Sequence, residues 1–403
     1  MPEARLADLL AYPSFARFLL ARLVGTMAHQ MLLVAISWHM YAITSSAWDL
    51  GMVGLFQFVP ALLMTLPAGH LADRMHRGRI FATCMFAQAA LAAVLVLAAW
   101  QGFASRELMF LVSVVLGITR AFQMPAQQAF TPLLVPAPLL QRAIAVSTSG
   151  TQAAIIAGPA IGGLLYGVGA TVVYLCGATF LLFAGMLTLL VRYTHQRVSS
   201  AAGWNTVMAG VVFVWRRKVL LGATSLDLFA VLLGGATALL PIYARDILHT
   251  GPVGLGLLRG APALGALLMS VILARFPLER HIGYRLLGAV ACFGIATLVF
   301  GLSRSFWLSM FALGVTGAAD NISVVTRLTL VQLETPDEMR GRVAAVNGLF
   351  IGASNQLGEF ESGVTASLFG AVGSVVLGGM GTMLVAASWL KLFPALAKRD
   401  RMG

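Results

Sequence analysis

An all-α polytopic membrane protein, twelve transmembrane helices in two pseudo-symmetric six-helix bundles, is the fold this sequence predicts, on three observations. Charge is scarce: 10% of the 403 residues are charged and 59% hydrophobic, where a soluble domain carries about 25% charge. The charges gather in short islands, leaving apolar runs of about 20 residues or more, the length that crosses a hydrocarbon core of about 30 Å. Lysine and arginine crowd alternate gaps between these runs, the asymmetry that orients helices across a bilayer. A soluble globular domain is excluded, and the lipid bilayer is the first partner required. The net charge of +12 does not point to nucleic acid, because the bases are spread among loops and never gather on one soluble module.

The spans follow in order. The first four fall near 15–43, 49–72, 79–101 and 106–131, the next four near 143–168, 171–193, 219–244 and 253–275, and the last four near 283–302, 305–332, 342–369 and 373–393. Residues 1–17 are polar and basic ahead of a full-length first span, so no cleavable signal is expected. With the N-terminus in the cytoplasm, 21 of the 27 bases are cytoplasmic; Arg106, Arg245, Arg259 and Arg304 lie opposite, and Arg120 and Arg327 lie within spans. Both termini are therefore expected inside. Cys84, Cys176 and Cys292 each sit within an apolar run and read as small packing residues.

The longest polar gap, 194–218, divides the chain into an N-terminal bundle (1–193) and a C-terminal bundle (219–403). Within it Trp204, Val207, Met208, Val211 and Trp215 recur at helical spacing and end at Arg216-Arg217-Lys218. That pattern predicts an amphipathic helix on the cytoplasmic leaflet.

The two bundles repeat one another. Arg142-Ala-Ile-Ala-Val146 aligns with Arg342-Val-Ala-Ala-Val346 at an offset of 200, which also superposes Gly117 on Gly317, Pro136 on Pro336, Gly158 on Gly358 and Gly163 on Gly363. Pro60-Ala-Leu matches Pro262-Ala-Leu at an offset of 202. Parallel repeats of this kind put a binding site between the halves near the membrane midplane.

Two strings carry a resemblance. Gly69-His-Leu-Ala-Asp73-Arg74-Met-His-Arg77-Gly-Arg79 occupies the gap between spans two and three. It puts a small residue where helices can approach, an acid able to cap the next helix, and bases at the cytoplasmic face. It resembles the signature loop of major facilitator superfamily transporters, although His76 and Gly78 depart from the usual pattern. The resemblance implies a gate at Gly69, Asp73, Arg74, Arg77 and Arg79. The second-half counterpart, Arg275-Phe-Pro-Leu-Glu279-Arg280, is degraded. In span five, Gly158-Pro159-Ala-Ile-Gly162-Gly163 resembles the antiporter motif of exporting branches; small residues there allow close helix packing and Pro159 bends the helix.

Ionisable residues inside spans are costly and usually face a cavity or a partner. Six qualify: Arg120, Asp227, Asp320, Arg327, Glu359 and Glu361. Arg120, Gln123 and Gln127 form one polar stripe at helical spacing, and Asp320, Ser323 and Arg327 form another on the equivalent helix. Both are expected along a wet pathway, the alternative being a structural Asp320–Arg327 pair. Asp227 has no opposite charge one turn away, and an isolated acid at that depth suits a proton carrier. Glu359 shares a helix face with Asn355 and Gln356 and is preferred over Glu361 for the cavity. His29, near the middle of span one, is a further proton-carrying candidate. Scattered histidines offer no ligand spacing, so neither metal nor other cofactor is expected.

Asp227-Leu-Phe-Ala, Leu239-Leu-Pro-Ile-Tyr-Ala-Arg-Asp246 and Thr335-Pro-Asp-Glu-Met-Arg-Gly-Arg342 resemble the bacterial efflux branch that includes siderophore and macrolide exporters. That implies a monomeric, proton-coupled exporter of a small organic molecule across the bacterial inner membrane. An importer or lipid-like solute flippase of the same fold is the alternative, with a non-transporting membrane scaffold as the rival from another class. No Ser-His-Asp, H-E-x-x-H or phosphate-loop pattern argues for an enzyme.

Overall fold

The structure is a computed structural model, and it describes residues 9, 11–192, 204–276 and 280–400. Apolar runs become helices because inside hydrocarbon a helix satisfies its own backbone donors and acceptors. In chain order these are α1 Pro13–Thr44, α2 Ala47–Arg74, α3 Arg77–Gln101, α4 Arg106–Phe130, α5 Ala137–Val168 and α6 Ala170–Leu189. Then come α7 Trp204–Arg216, α8 Lys218–Leu233, α9 Gly251–Arg275, α10 Ile282–Leu302 and α11 Phe306–Glu334. The helical segment Asp337–Leu392 has 56 residues, about 84 Å at 1.5 Å per residue, far more than one bilayer crossing. It divides at Gly370, whose φ of 75° and ψ of 164° are non-helical, into α12 (337–369) and α13 (371–392). Eleven segments among the described residues are long and apolar enough to span a membrane, the last of them this double one, consistent with twelve crossings. No strand occurs among the described residues.

The chain forms two compact units. One is Met1–Ile43 with Phe56–Ala201; the other is Thr44–Leu55 with Ala202–Gly403. In the first, α3 packs along α6 and α4. Gly158 and Gly162 of α5 press on α1: a Cβ at Gly158 would stand 2.7 Å from Gln30 Cβ, and one at Gly162 would stand 2.8 Å from Met31 Cα. In the second unit, α9 packs along α11, and α8 and α10 pack on the α12–α13 segment. The repeat is visible in the packing. Gly117 of α4 abuts the backbone of Gln57 on α2, and its counterpart Gly317 of α11 abuts the backbone of Pro262 on α9.

Helix α7 belongs to the second unit. Gly210 sits against the Arg342 carbonyl and Val346, and Val214 is buried with Leu220, Val331 and Val343. Its other side exposes Met208, Val212 and Trp215. The side chains of Trp204 and Val207, which head the predicted stripe, lie outside the described residues.

Helix α8 differs from the continuous span expected over 219–244. It stops at Leu233, the chain turns at Gly234 and Gly235, and 236–239 form a short 3-10 turn before helix resumes. A carbonyl freed by the break is satisfied from α12, where Ser362 donates its hydroxyl to the Gly235 oxygen at 2.8 Å.

Candidate functional site

The break in α8 opens onto a cavity of about 190 Å³ inside the second unit. Gly234, Gly235 and Thr237 line it beside Asp227 of α8, Asp320 and Arg327 of α11, and Asn355 and Glu359 of α12. Discontinuous helices flank substrate sites in transporters because their freed backbone groups can face a cavity and not lipid. An adjoining void of about 10 Å³ touches Asp227, Asp320 and Ser323, room for about one water molecule.

Asp227 is not isolated. Arg327 Nη2 lies 3.0 Å from its Oδ2, with side-chain exposures of 1% and 5%, and Ser323 stands beside Asp227 at the small void. Arg327 Nη1 donates to Asn347 Oδ1 at 3.0 Å. One hundred residues separate the two charges, so inspection of neighbouring helical turns could not find the partner. Asp320 shares α11 with Arg327, yet the guanidinium pairs with Asp227. The alternative of a structural Asp320–Arg327 pair is therefore not what forms.

Glu359 lines the cavity, as its face with Asn355 suggested; Gln356 does not, and its Oε1 is buried without a hydrogen-bond partner among the described residues. Sequence reasoning missed Arg259 by assigning it to an outer loop. It lies within α9, partly buried, in the electrostatic field of Glu359. The signal was available: span eight, drawn from residue 253, already contained it. Asn347 was also missed, and only its place eight residues, about two helical turns, before Asn355 hinted at a shared polar face.

In the first unit the predicted stripe on α4 splits. Arg120 is exposed and its Nη1 lies 3.1 Å from His29 Nε2. A guanidinium only donates, so Nε2 is the acceptor, which removes that nitrogen from the role of proton carrier in this arrangement. Gln123 accepts from Gln88 of α3 at 2.9 Å, and Gln127 is buried at 8% exposure. Gln123 is thus turned toward α3 inside the bundle.

The signature loop is tighter than expected. Only Met75 and His76 separate α2 from α3, so Asp73 falls in the last turn of α2 and not at the N-cap position of α3. The N-cap is His76, which makes no side-chain capping bond. A Cβ on Gly69 would meet nothing within 4 Å among the described residues, whereas one on the buried Gly78 would stand 3.2 Å from the Phe130 ring. The close approach is thus at Gly78. Arg77 is half-buried and Arg79 exposed; the side chains of Asp73 and Arg74 lie outside the described residues. So does part of the second-half loop, 277–279. Gly158, Pro159, Gly162 and Gly163 are all buried.

Spanning helices around a cavity with buried charge and a broken helix define a polytopic membrane transporter. The chain belongs to the MFS-type transporter family described as Transmembrane secretion effector, which matches residues 6–402. It is 26% identical over 392 residues to the uncharacterized MFS-type transporter YvqJ of Bacillus subtilis (strain 168), covering 92% of each chain. It is 24% identical over 397 residues to the enterobactin exporter EntS of Citrobacter koseri, covering 94% of this chain and 88% of that one. Among solved structures, an inward-facing, occupied bacterial homologue of the human lysosomal transporter Spinster superposes with a TM-score of 0.77 at 16% identity, covering 94% and 97% of the two chains. The molecule is a multi-pass membrane transporter and not an enzyme.

Proposed function

We propose that this protein is a proton-coupled exporter of a small organic molecule across the bacterial inner membrane, working by alternating access of two six-helix halves, 1–193 and 219–403, joined by 194–218. The observation that carries the reading is the Asp227–Arg327 pair beside Asp320 in a cavity at a helix break. Buried charges of this kind are expensive in a membrane protein and are retained for ion or substrate pathways. A proton arriving at Asp227 releases Arg327, and a change in that pair biases which side of the membrane the cavity meets. Glu359 and Asp320 are the other acids on the route, and Arg120, Asn355 and Ser323 are polar contacts along it. The loop at Gly69–Arg79 serves as the cytoplasmic gate, and the Gly158–Gly163 string lets α5 slide on α1. Export is the direction favoured by similarity to an enterobactin exporter and by the antiporter-like string.

One proton moving down a potential of 100 mV supplies about 2.3 kcal/mol, enough for modest accumulation. The test uses everted vesicles from an exporter-deficient host, energised by respiration, with labelled enterobactin and labelled erythromycin as separate probes. Uptake above the equilibrium level that collapses with a protonophore is the expected result. Uptake of neither probe beyond control vesicles, with no probe-dependent proton movement, would overturn the reading.

A further inference from the structure

We propose that the cavity of the second unit binds an organic cation, an ammonium group on an apolar body, and that this ammonium and a proton replace one another at Asp320. The inference rests on the transport reading above and names its cargo class.

The argument begins with charge. The cavity is lined by three acids, Asp227, Asp320 and Glu359, and by one base, Arg327. Arg327 is committed to Asp227 at 3.0 Å. Glu359 has Arg259 of α9 in its field. Asp320 lies in the field of both Asp227 and Arg327 but has no ion pair or hydrogen bond of its own among the described residues. One carboxylate is therefore in excess, and a charge away from bulk water demands a counter-charge. Helix α10, which supplies the facing wall, brings Phe293, Thr297 and Phe300 and no titratable group. The charges that act on Asp320 are Asp227 and Arg327; Glu359 also lines the cavity, with Arg259 in its field.

The cavity's shape and remaining chemistry fit the same ligand. Phe293, which is only partly buried, offers an aromatic ring, and a cation over such a face gains roughly 0.5–2 kcal/mol. Val231, Leu240, Leu313 and Ile351 provide apolar wall, and about 190 Å³ suits one small aromatic amine. A second observation is independent of the acids. Arg327 is 1% exposed, and its Nε has no hydrogen-bond partner among the described residues although the side chain lines the cavity. One guanidinium N–H of a cavity-lining residue is thus left without a protein acceptor among the described residues. The void of about 10 Å³ touching Asp320 and Asp227 gives a water, and hence a proton, access to the same carboxylate when the ammonium leaves. Exchange of one positive charge for another leaves the cavity's net charge unchanged, so for this cargo the proton concentration gradient, and not the membrane potential, supplies the drive.

The experiment is calorimetric titration of the purified full-length protein with benzyltrimethylammonium, whose charge does not change with pH, between about pH 5.5 and pH 8, in buffers of different ionisation enthalpy. Affinity should fall by up to about tenfold per pH unit on the acid side, with about one proton released for each cation bound. Neopentylbenzene, the uncharged isostere, and phenylacetate should bind at least about tenfold more weakly. Asp320→Asn should lose both the pH dependence and the proton release, and Asp320→Glu should keep both, with thermal unfolding reporting whether each variant is folded. If Asp320→Asn does not fold, the wild-type and Asp320→Glu titrations decide. Absent or pH-independent binding, a preference for phenylacetate, or unchanged proton release in a folded Asp320→Asn would overturn the proposal. Proton-driven efflux without this exchange removes the site and leaves the transport reading; exchange without efflux does the reverse.

Discussion

Arg327 and Asp227 form a buried ion pair, Nη2 to Oδ2 at 3.0 Å, that ties α11 to α8 just below the point where α8 breaks. Asn347 of α12 takes a second guanidinium hydrogen, so three helices converge on one charge. Breaking one side of such a pair strands the other charge and typically costs about 3–5 kcal/mol, whereas replacing both with apolar groups is often near neutral. Arg327→Met alone and Asp227→Leu alone should each lower the melting temperature by several degrees in detergent, and the double variant should recover most of the loss. A loss in the double variant equal to the sum of the two single losses would mean the pair carries no coupling.

The same pair bears on transport. Asp227→Asn combined with Arg327→Gln keeps hydrogen-bonding groups in place while removing both charges. In proteoliposomes containing a pH-sensitive dye, cargo-dependent proton movement should vanish while exchange of labelled cargo down its own gradient persists. Retained proton movement would take Asp227 off the proton route.

Glycines separate packing from mere occurrence. A Cβ at Gly162 would meet Met31 Cα at 2.8 Å, a backbone atom that cannot move aside, while one at Gly69 would meet nothing within 4 Å among the described residues. Gly162→Val should therefore forfeit most folded protein, and Gly69→Ala should match the parent in size-exclusion profile and unfolding temperature. A silent Gly162→Val would disprove the tight α5–α1 contact.

Gly370 tests backbone strain alone. Its φ of 75° with ψ of 164° is accessible essentially only to glycine, yet a Cβ there would touch nothing within 4 Å among the described residues. Gly370→Ala should cost about 1–3 kcal/mol, visible as a lowered unfolding temperature with no steric contribution. An unchanged temperature would show that the turn between α12 and α13 lies elsewhere.

Orientation can be read by labelling. With Cys84, Cys176 and Cys292 replaced, a cysteine at the exposed Met75 should react with a membrane-impermeant maleimide only from the cytoplasmic side. One at the exposed Phe103 should react only from outside. The opposite pattern would reverse the topology inferred from arginine and lysine placement.

Much of the architecture was readable before any coordinates, because a membrane helix is a local object: a run of apolar residues decides it without reference to distant chain. The spans from 15–43 to 373–393, the helix ending at Arg216-Arg217-Lys218 and the placement of Glu359 with Asn355 on one face all came from periods of helical turns. The packing glycines Gly158 and Gly162 were likewise visible as an ordered string. Tertiary structure alone decided which of the costly polar groups meet. Asp227 finds Arg327 one hundred residues away, Arg120 bonds His29, Gln123 turns to Gln88, and Glu359 lies in the field of Arg259. The turn at Gly234–Gly235 that opens the cavity also escaped, since two glycines in an apolar run read as packing until a neighbouring helix satisfies the freed carbonyl. Hydrophobicity is summed along the chain and survives in the sequence; a charge pair is made across space, where only the packed helices bring its members within reach.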